Sequence, residues 1–534
     1  MIFSKMNLRY LLASVVGVAS AVSALAAPGP ERKVVVVVWD GMRPDFITPE
    51  ITPNLSRLGA EGVFFAHHHP VYLTSTEVNG TALATGSWPA HSGIIANNDF
   101  RPAIDPQNMV ETQVPAVVRK GDEVSGGHYL GRPTVAELLH AHGRRTAIAG
   151  AKQVALLHDR SPRADSPGVS PLLYQGETLP ENFGASFAQS LGAFPPVSAR
   201  DDKIARDAWT TRALIGELWK TEVPPYSLLW LSEPDNSQHA TGPGSPQSLE
   251  AIKSSDANLG LVLTELERRG LRESTDVFVV SDHGFSTIER KVDLVVELSM
   301  AGFQSKRAAL GGLKAGEVMV VSNGGSSLFY VGGHDAGVIA RLTAFLQQQN
   351  WAGVVFSRTA AEGTFPLSEV HIDSPQAPDL VVSLRWSHGK SVYGIRGLQA
   401  SDLSPSSKKI GNHASLSAYD LHNTLVAAGP DLRRGVTDTL PSGNADVAPT
   451  ILWILGLKDE SAKMDGRVLS EALTVESPAL HALELKRLTA RREINGGTWT
   501  QYLQVAEVNG VRYFDEGNGN FAAGAKAEVK TEAK

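Results

Sequence analysis

Lys33-Val34-Val35-Val36-Val37-Val38-Trp39-Asp40-Gly41, residues 33–41, is the stretch whose reading decides the fold. Five consecutive valines carry no polar alternation, so neither face of the strand they form is meant for water. Such a strand belongs inside a parallel sheet with helices packed on both sides. The run stops on a carboxylate and a glycine. In open α/β sheets ligands bind beyond the carboxyl ends of the strands, which puts Asp40 where chemistry would sit. An aspartate that merely opens a turn remains the competing reading.

Two later runs repeat the form. Residues 226–231 lead into Ser232-Glu233-Pro234-Asp235-Asn236-Ser237-Gln238-His239, and residues 276–280 lead into Ser281-Asp282-His283-Gly284. Asp235 and His239, four apart, can meet one ion from a single helical turn, although the same spacing also occurs in ordinary surface turns. Asp282 and His283 are adjacent and would diverge in an extended chain. They serve one ion only if the turn at Gly284 re-aims them. A solvated strand end needs polar residues, but not three carboxylates with two histidines in register.

Between the first and second of these strands lies residues 69–98, HPVYLTSTEVNGTALATGSWPAHSGIIANN. A hydroxyl-rich turn, Thr74-Ser75-Thr76, opens a helix through Asn79 and Leu83. A hydroxyl at a helix start suits a nucleophile for a phosphoryl or sulfuryl group, because free N–H groups and the dipole favour anions there. Any of the three could equally be an N-cap. The run His67-His68-His69 reads as structural, since three adjacent histidines cannot all point one way in an extended chain. A strand over 145–150 delivers Lys152 to a strand end, where the plain reading is a surface lysine. Thr52-Pro53 starts a helix, Thr134 and Glu137 form a capping box, and further helices fall over 204–218 and 251–269. Residues 100–130 read as a surface excursion and 160–200 as loop.

The whole chain sets bounds. It has 534 residues, 42% hydrophobic and 20% charged, the composition of a globular protein with a substantial core. A net charge of −7 argues against a nucleic-acid-polymer partner. Lys5 and Arg9 precede an apolar run over 11–25 and the small-residue site Ala24-Leu25-Ala26, so residues 1–26 read as a signal peptide cut after Ala26. Losing those two cations takes the charge from −7 to −9. The run is too short to anchor, no other stretch spans a membrane, and the expected location is periplasmic or secreted. With no cysteine in the chain, a large core or bound metal must replace disulfides. The expected organisation is a catalytic α/β core over 27–290 and 404–475, interrupted by a cap-like α/β insertion over 291–403. A C-terminal extension over 476–520 and a disordered tail over 521–534 complete it.

Several motifs, taken together, resemble the alkaline phosphatase superfamily in its type I phosphodiesterase/nucleotide pyrophosphatase family. They are Trp39-Asp40-Gly41, Thr76-x-x-Asn79 with Ala84-Thr85-Gly86, Ser92-Gly93-Ile94-Ile95-Ala96-Asn97, Glu233-Pro234-Asp235-x-x-x-His239, Ser281-Asp282-His283-Gly284 and Asn412-His413. The resemblance covers roughly residues 33–457. It implies an alkaline-phosphatase-like, mostly parallel central sheet flanked by helices, with a small α/β cap. It also implies two zinc ions, one held by Asp235, His239 and His413, the other by Asp40, Asp282, His283 and the Thr76 oxygen. Thr76 would be the nucleophile, passing through a phospho-threonine, and Asn79 an amide donor to a phosphoryl oxygen. The substrate would be a small phosphate ester, with nucleotides among the candidates. Two departures stand out. Glu77 replaces the bulky aromatic that many relatives carry after the nucleophile. Lys152 stands where related monoesterases and phosphonate hydrolases keep a phosphate-binding lysine, so phosphomonoesterase or phosphonate hydrolase is the alternative activity. The sulfatase motif Cys/Ser-x-Pro-x-Arg is absent. A non-catalytic, metal-stabilised binding protein is the remote alternative.

Overall fold

The valine run is the middle of the structure. In the computed structural model, which describes residues 31–162, 171–196, 203–475 and 483–524, it forms the strand Lys33–Trp39 at the heart of a nine-stranded sheet. Its neighbours are Thr275–Val280 and Tyr226–Leu231, both parallel to it. Val34, Val36 and Val38 enter the apolar core on one face, and Val35, Val37 and Trp39 enter the core on the other. Full burial of one such side chain contributes about 1.5 kcal/mol or more, so the run fixes the sheet's centre energetically as well as topologically.

Across the sheet the order is Val436–Asp438, Val63–Phe65, Leu425–Ala428, Thr275–Val280, Lys33–Trp39, Tyr226–Leu231, Thr146–Gly150, Leu172–Tyr174 and Glu177–Leu179. Leu425–Ala428 and the edge strand Glu177–Leu179 run antiparallel to their neighbours, and the other pairings are parallel. The result is the mostly parallel, helix-flanked architecture expected. The helices Pro53–Glu61 and Pro246–Arg268 cover one face. The helices Thr76–Thr85 and Asn444–Ile454 cover the other. Thr134 and Glu137 do form a capping box at the helix Val135–Ala141.

Several segments differ from the sequence reading. Within 100–130 the chain forms the helix Pro115–Ser125, opened by proline and closed by Gly126 in the left-handed region (φ 69°). Within 160–200 it forms Leu172–Tyr174, Glu177–Leu179 and the helix Phe183–Leu191. These strands exist because Thr146–Gly150 offers them an edge to pair with, a tertiary cause that local composition does not carry. The strand Val511–Ala523 runs past the expected start of disorder at 521, with Phe521 opposite the buried Trp499. The expected signal peptide, and the tail beyond 524, lie outside the described residues.

Residues 305–384 build a six-stranded sheet that carries the helix Ala336–Gln347 on one face. Its other face packs on Tyr72, Leu73, Ile95 and Ala96, beside the helix Thr76–Thr85, and on the C-terminal strands. Positions 291 and 403 do not separate it cleanly. Ser286–Val292 pairs with Arg396–Asp402 and with Gly411–Asn412, so one small sheet straddles both boundaries.

His158 closes the short helix Gln153–His158, buried against the Trp230 ring (centroids 5.5 Å apart) with neither nitrogen bonded to protein. Burial lowers its pKa from 6.5 to about 3. A pKa depressed on folding contributes stability that is complete above pH 6.5 and is lost as pH falls toward 3. His158→Leu should therefore flatten the loss of thermal stability between pH 6.5 and 4, measured as Tm against pH. An unchanged slope would remove His158 from the acid response.

Candidate active site

Register brings the acids together. Val38 pairs with Val280 on one side and with Trp230 on the other. Asp40 and Asp282, each two residues further on, therefore leave the sheet side by side. Asp235 joins them at the start of the helix Asp235–Thr241, its N–H donating to Asp40 O at 2.9 Å. Asp207 shapes the turn before it, accepting from Ser232 N (2.7 Å), Ser232 Oγ (2.8 Å) and Glu233 N (3.0 Å). Two glycines are required here. Gly41 sits at φ 72° directly after Asp40. A Cβ on Gly284 would lie 2.1 Å from Tyr419 O, so only glycine lets the chain turn there. That turn re-aims Asp282 and His283: His283 N donates to Asp282 Oδ1 at 3.0 Å, and both side chains face the same space.

Two ligand groups result. Asp40, Asp282 and His283 offer atoms within 4.8 Å of one another, and so do Asp235, His283 and His413. His239 adds its Nε2 at 3.3 Å from Asp235 Oδ1, and His413 Nε2 stands 3.6 Å from the same oxygen. The His283 and His413 rings stack at 3.7 Å. Each imidazole is held from behind in the same manner. Nδ1 donates to a backbone carbonyl: His283 to Gly284 O (2.8 Å), His239 to Gly411 O (2.9 Å), His413 to Thr74 O (2.9 Å). Every Nε2 is thus left with its lone pair toward the carboxylates, the usual support of a metal-ligating histidine. Thr76 Oγ1 lies 3.3 Å from His283 Nε2.

The electrostatics call for cations. Asp40, Asp235 and Asp282 are all buried, and Asp40 Oδ1, Asp235 Oδ1 and Asp282 Oδ2 have no hydrogen-bond donor. Burial, then repulsion from Asp282, pushes the Asp40 carboxyl well above the usual carboxylate range. Burial, then the neighbouring histidines, keeps His413 well below the ordinary imidazole value, and burial lowers His239 too, so both are neutral as ligation requires. Orphaned carboxylate oxygens beside oriented imidazole lone pairs fit a two-ion site.

Lys152 is not a surface lysine. Its Nζ bridges Asp235 Oδ2 (2.7 Å) and Asp40 Oδ2 (2.9 Å). Burial opposes its charge, but Asp235, Asp40 and Asp282 outweigh that and hold its pKa well above the usual lysine value. It also lines a cavity of about 320 Å³, together with Lys203, Arg206, Gln153, Gln175 and Asn236.

Asn79 does not face the site. Its Nδ2 donates to Val71 O, Leu73 O and Ser75 O (3.1–3.2 Å), and its Oδ1 accepts from Val71 N and Asn444 Nδ2. With both amide hydrogens committed to the backbone, it pins the loop ahead of Thr76 and has no donor for a phosphoryl oxygen. Asn97, overlooked as a functional residue in the sequence, is better placed. Its Oδ1 accepts from Glu77 N at 3.0 Å, which fixes the amide at the first turn of the helix Thr76–Thr85. Its presence within the quoted 92–97 motif was the available signal. Ser75 occupies the N-cap position but makes no capping bond, and Thr76 is the first helical residue. His68 is structural: its Nδ1 meets Ser442 Oγ and its Nε2 meets Asn444 Oδ1, both at 2.9 Å.

Comparison with known proteins agrees with this geometry. The murine ectonucleotide pyrophosphatase / phosphodiesterase 5, solved as an inactive variant with AMP, superposes with a TM-score of 0.58 at 18% identity, covering 83% of this chain and 100% of that one. Bis(5'-adenosyl)-triphosphatase enpp4 of Xenopus laevis is 24% identical over 269 residues, 50% of this chain and 50% of that protein. Venom phosphodiesterase CdcPDE of Crotalus durissus collilineatus is 22% identical over 262 residues, 48% of this chain and 27% of that protein. The chain thus spans half or less of the length of these last two relatives. Among the described residues no helix is long and apolar enough to cross a membrane. The family model for type I phosphodiesterase / nucleotide pyrophosphatase matches residues 34–389, more than half of the sequence, and the chain belongs to that family.

Proposed function

We propose that this chain is an exported, zinc-dependent phosphodiesterase with nucleotide-pyrophosphatase-like chemistry, working through a covalent phospho-threonine at Thr76. The observation that carries the reading is the gathering of three donor-less carboxylate oxygens and three oriented Nε2 lone pairs into adjoining groups, with the Thr76 hydroxyl 3.3 Å from one of them, His283 Nε2. Asp235, His239 and His413 would hold one ion, and Asp40, Asp282, His283 and Thr76 the other. Two bound divalent ions supply Lewis-acid stabilisation of phosphoryl oxygens and lower the pKa of a coordinated hydroxyl.

The chain's own residues do the rest. Thr76, held at a helix N-terminus, presents Oγ1 where the dipole favours an anionic substrate. Its oxygen forms the new bond to phosphorus as the ester oxygen departs, and water then attacks the phospho-threonine and returns the free hydroxyl. Asn97 takes the amide role first assigned to Asn79, positioned to donate where charge collects in the transition state. Lys152, partly balancing the carboxylates, lines the cavity next to them and favours a doubly charged phosphoryl group more than a singly charged one. Family membership makes phosphodiesters the main substrates, and Lys152 adds monoester or phosphonate hydrolysis alongside.

Zinc analysis of the purified protein should show at least two ions, and stripping them with a chelator should abolish activity that added zinc restores. Full turnover in a demonstrably metal-free sample would refute the reading. Thr76→Ala should lower kcat on an aryl phosphodiester by several orders of magnitude with the circular dichroism spectrum unchanged, whereas Thr74→Ala and Ser75→Ala should cost far less. Lys152→Ala should depress aryl monoester turnover about tenfold more than diester turnover, the worth of one charge-assisted contact. Equal losses on both substrates would confine Lys152 to balancing the carboxylates.

A further inference from the structure

A second group of ligating side chains lies outside the active site. His69, His422 and Asp515 offer ligand atoms within 4.8 Å of one another. They come from three remote places: the short strand His68–His69, the residue after the helix Ala418–Leu421, and the C-terminal strand Val511–Ala523. His69 Nδ1 donates to Ser442 O at 3.1 Å, the same rear support seen at the active-site histidines. That bond turns its Nε2 toward Asp515 Oδ1, 3.0 Å away. His422 Nε2 stands 3.8 Å from the same oxygen, and the two imidazole rings are 4.8 Å apart.

An imidazole lone pair aimed at a carboxylate oxygen is repulsive unless a proton or a metal ion stands between them. The spacing tells which cations fit. Ligand atoms about 2.1 Å from a tetrahedral ion lie about 3.4 Å apart, and the observed 3.0 and 3.8 Å bracket that value. His69 is buried, while His422 and Asp515 are each 30% exposed, so the group is anchored on one side and open to solvent on the other. The exposed His67 ring lies at that open side, 6.4 Å from His422.

We propose that His69, His422 and Asp515 form a structural site for a divalent transition ion of the zinc class, which ties the C-terminal strands to the catalytic core. Two imidazoles and one carboxylate suit zinc over calcium or magnesium, whose sites are built of oxygen. The ion joins residues far apart in sequence in a chain that has no cysteine for disulfides. It sits behind the loop that leads to Thr76, one residue from His68 and its bond to Asn444.

The test compares full-length wild-type protein with His422→Ala and Asp515→Asn after equilibration in a zinc buffer. Each variant should bind one zinc fewer than wild type by elemental analysis and should lose most of the Tm increase that zinc gives wild type. Phosphodiesterase kcat should stay within about twofold. The readout is the difference between wild type and variant, so it stands apart from the number of ions at the active site. Equal zinc content in wild type and both variants would overturn the proposal and leave a simple imidazolium–carboxylate pair. Asp515→Asn keeps the side-chain shape, and a circular dichroism spectrum identifies a variant that fails to fold.

Discussion

Register among the three central strands is the constraint on which the site depends, and the valines cannot supply it. A strand with both faces equally buried loses little when it slides, because a shift of one residue exchanges one valine for another. Polar clamps at the carboxyl edge fix it instead. Gly41 N donates to Asp282 Oδ1 at 2.9 Å, Gln238 Nε2 to Gly41 O at 2.8 Å, and Ser281 Oγ to Met42 O at 2.7 Å. All three are buried, where a broken bond leaves a group without solvent compensation. The residues around the ligands are therefore also the ones that choose the register, so fold specification and site construction are the same set of contacts.

That arrangement stores electrostatic strain at the strand ends. Asp40, Asp235 and Asp282 are buried together, and Lys152 contributes a single positive charge among them. One ammonium cannot satisfy three carboxylates, which is why burial and Asp282 push Asp40 upward. Asn444 steadies the region from behind, donating to Asp282 O at 2.7 Å and to Asn79 Oδ1 at 3.0 Å while accepting from His68. The loop before Thr76, the third strand end and the helix Asn444–Ile454 are thereby one rigid frame. Preorganised ligands in such a frame lower the cost of binding ions, and bound ions in turn stabilise the frame.

The sequence made the frame legible where one strand carried its own evidence. Buried parallel strands read as unbroken apolar runs, and carboxylates at their ends break that pattern conspicuously, so Asp40, Asp235 and Asp282 could be picked out without a structure. Side-chain direction could not. Asn79 lies in the helix Thr76–Thr85 and Asn97 against its first turn, and only the hydrogen-bond map shows that Asn79 is spent on Val71, Leu73 and Ser75. The strands over 172–179 are short and depend on a neighbouring edge, so their own composition reads as loop. The group at His69 was invisible for a related reason: its members stand far apart in sequence, at 69, 422 and 515, and adjacency to His67 and His68 made His69 look like part of a local run.

Glu77 bears on what such a site recognises. It follows Thr76 directly, is 2% exposed, and has one carboxyl oxygen with no donor. Burial pushes its pKa up to about 8, so at neutral pH it is largely the protonated acid, a hydrogen-bond donor and not a charge. An aromatic ring at this place would offer a flat apolar face; a buried carboxylic acid offers none. The nearby cavity tells the same way, since Lys152, Lys203, Arg206, Glu111 and several amides line it, with no aromatic among its described lining residues. On the function proposed above, recognition beside the phosphoryl group would rest on charge and hydrogen bonding instead of base stacking. A richly polar leaving group would gain from such a surface, and a bare planar base would not.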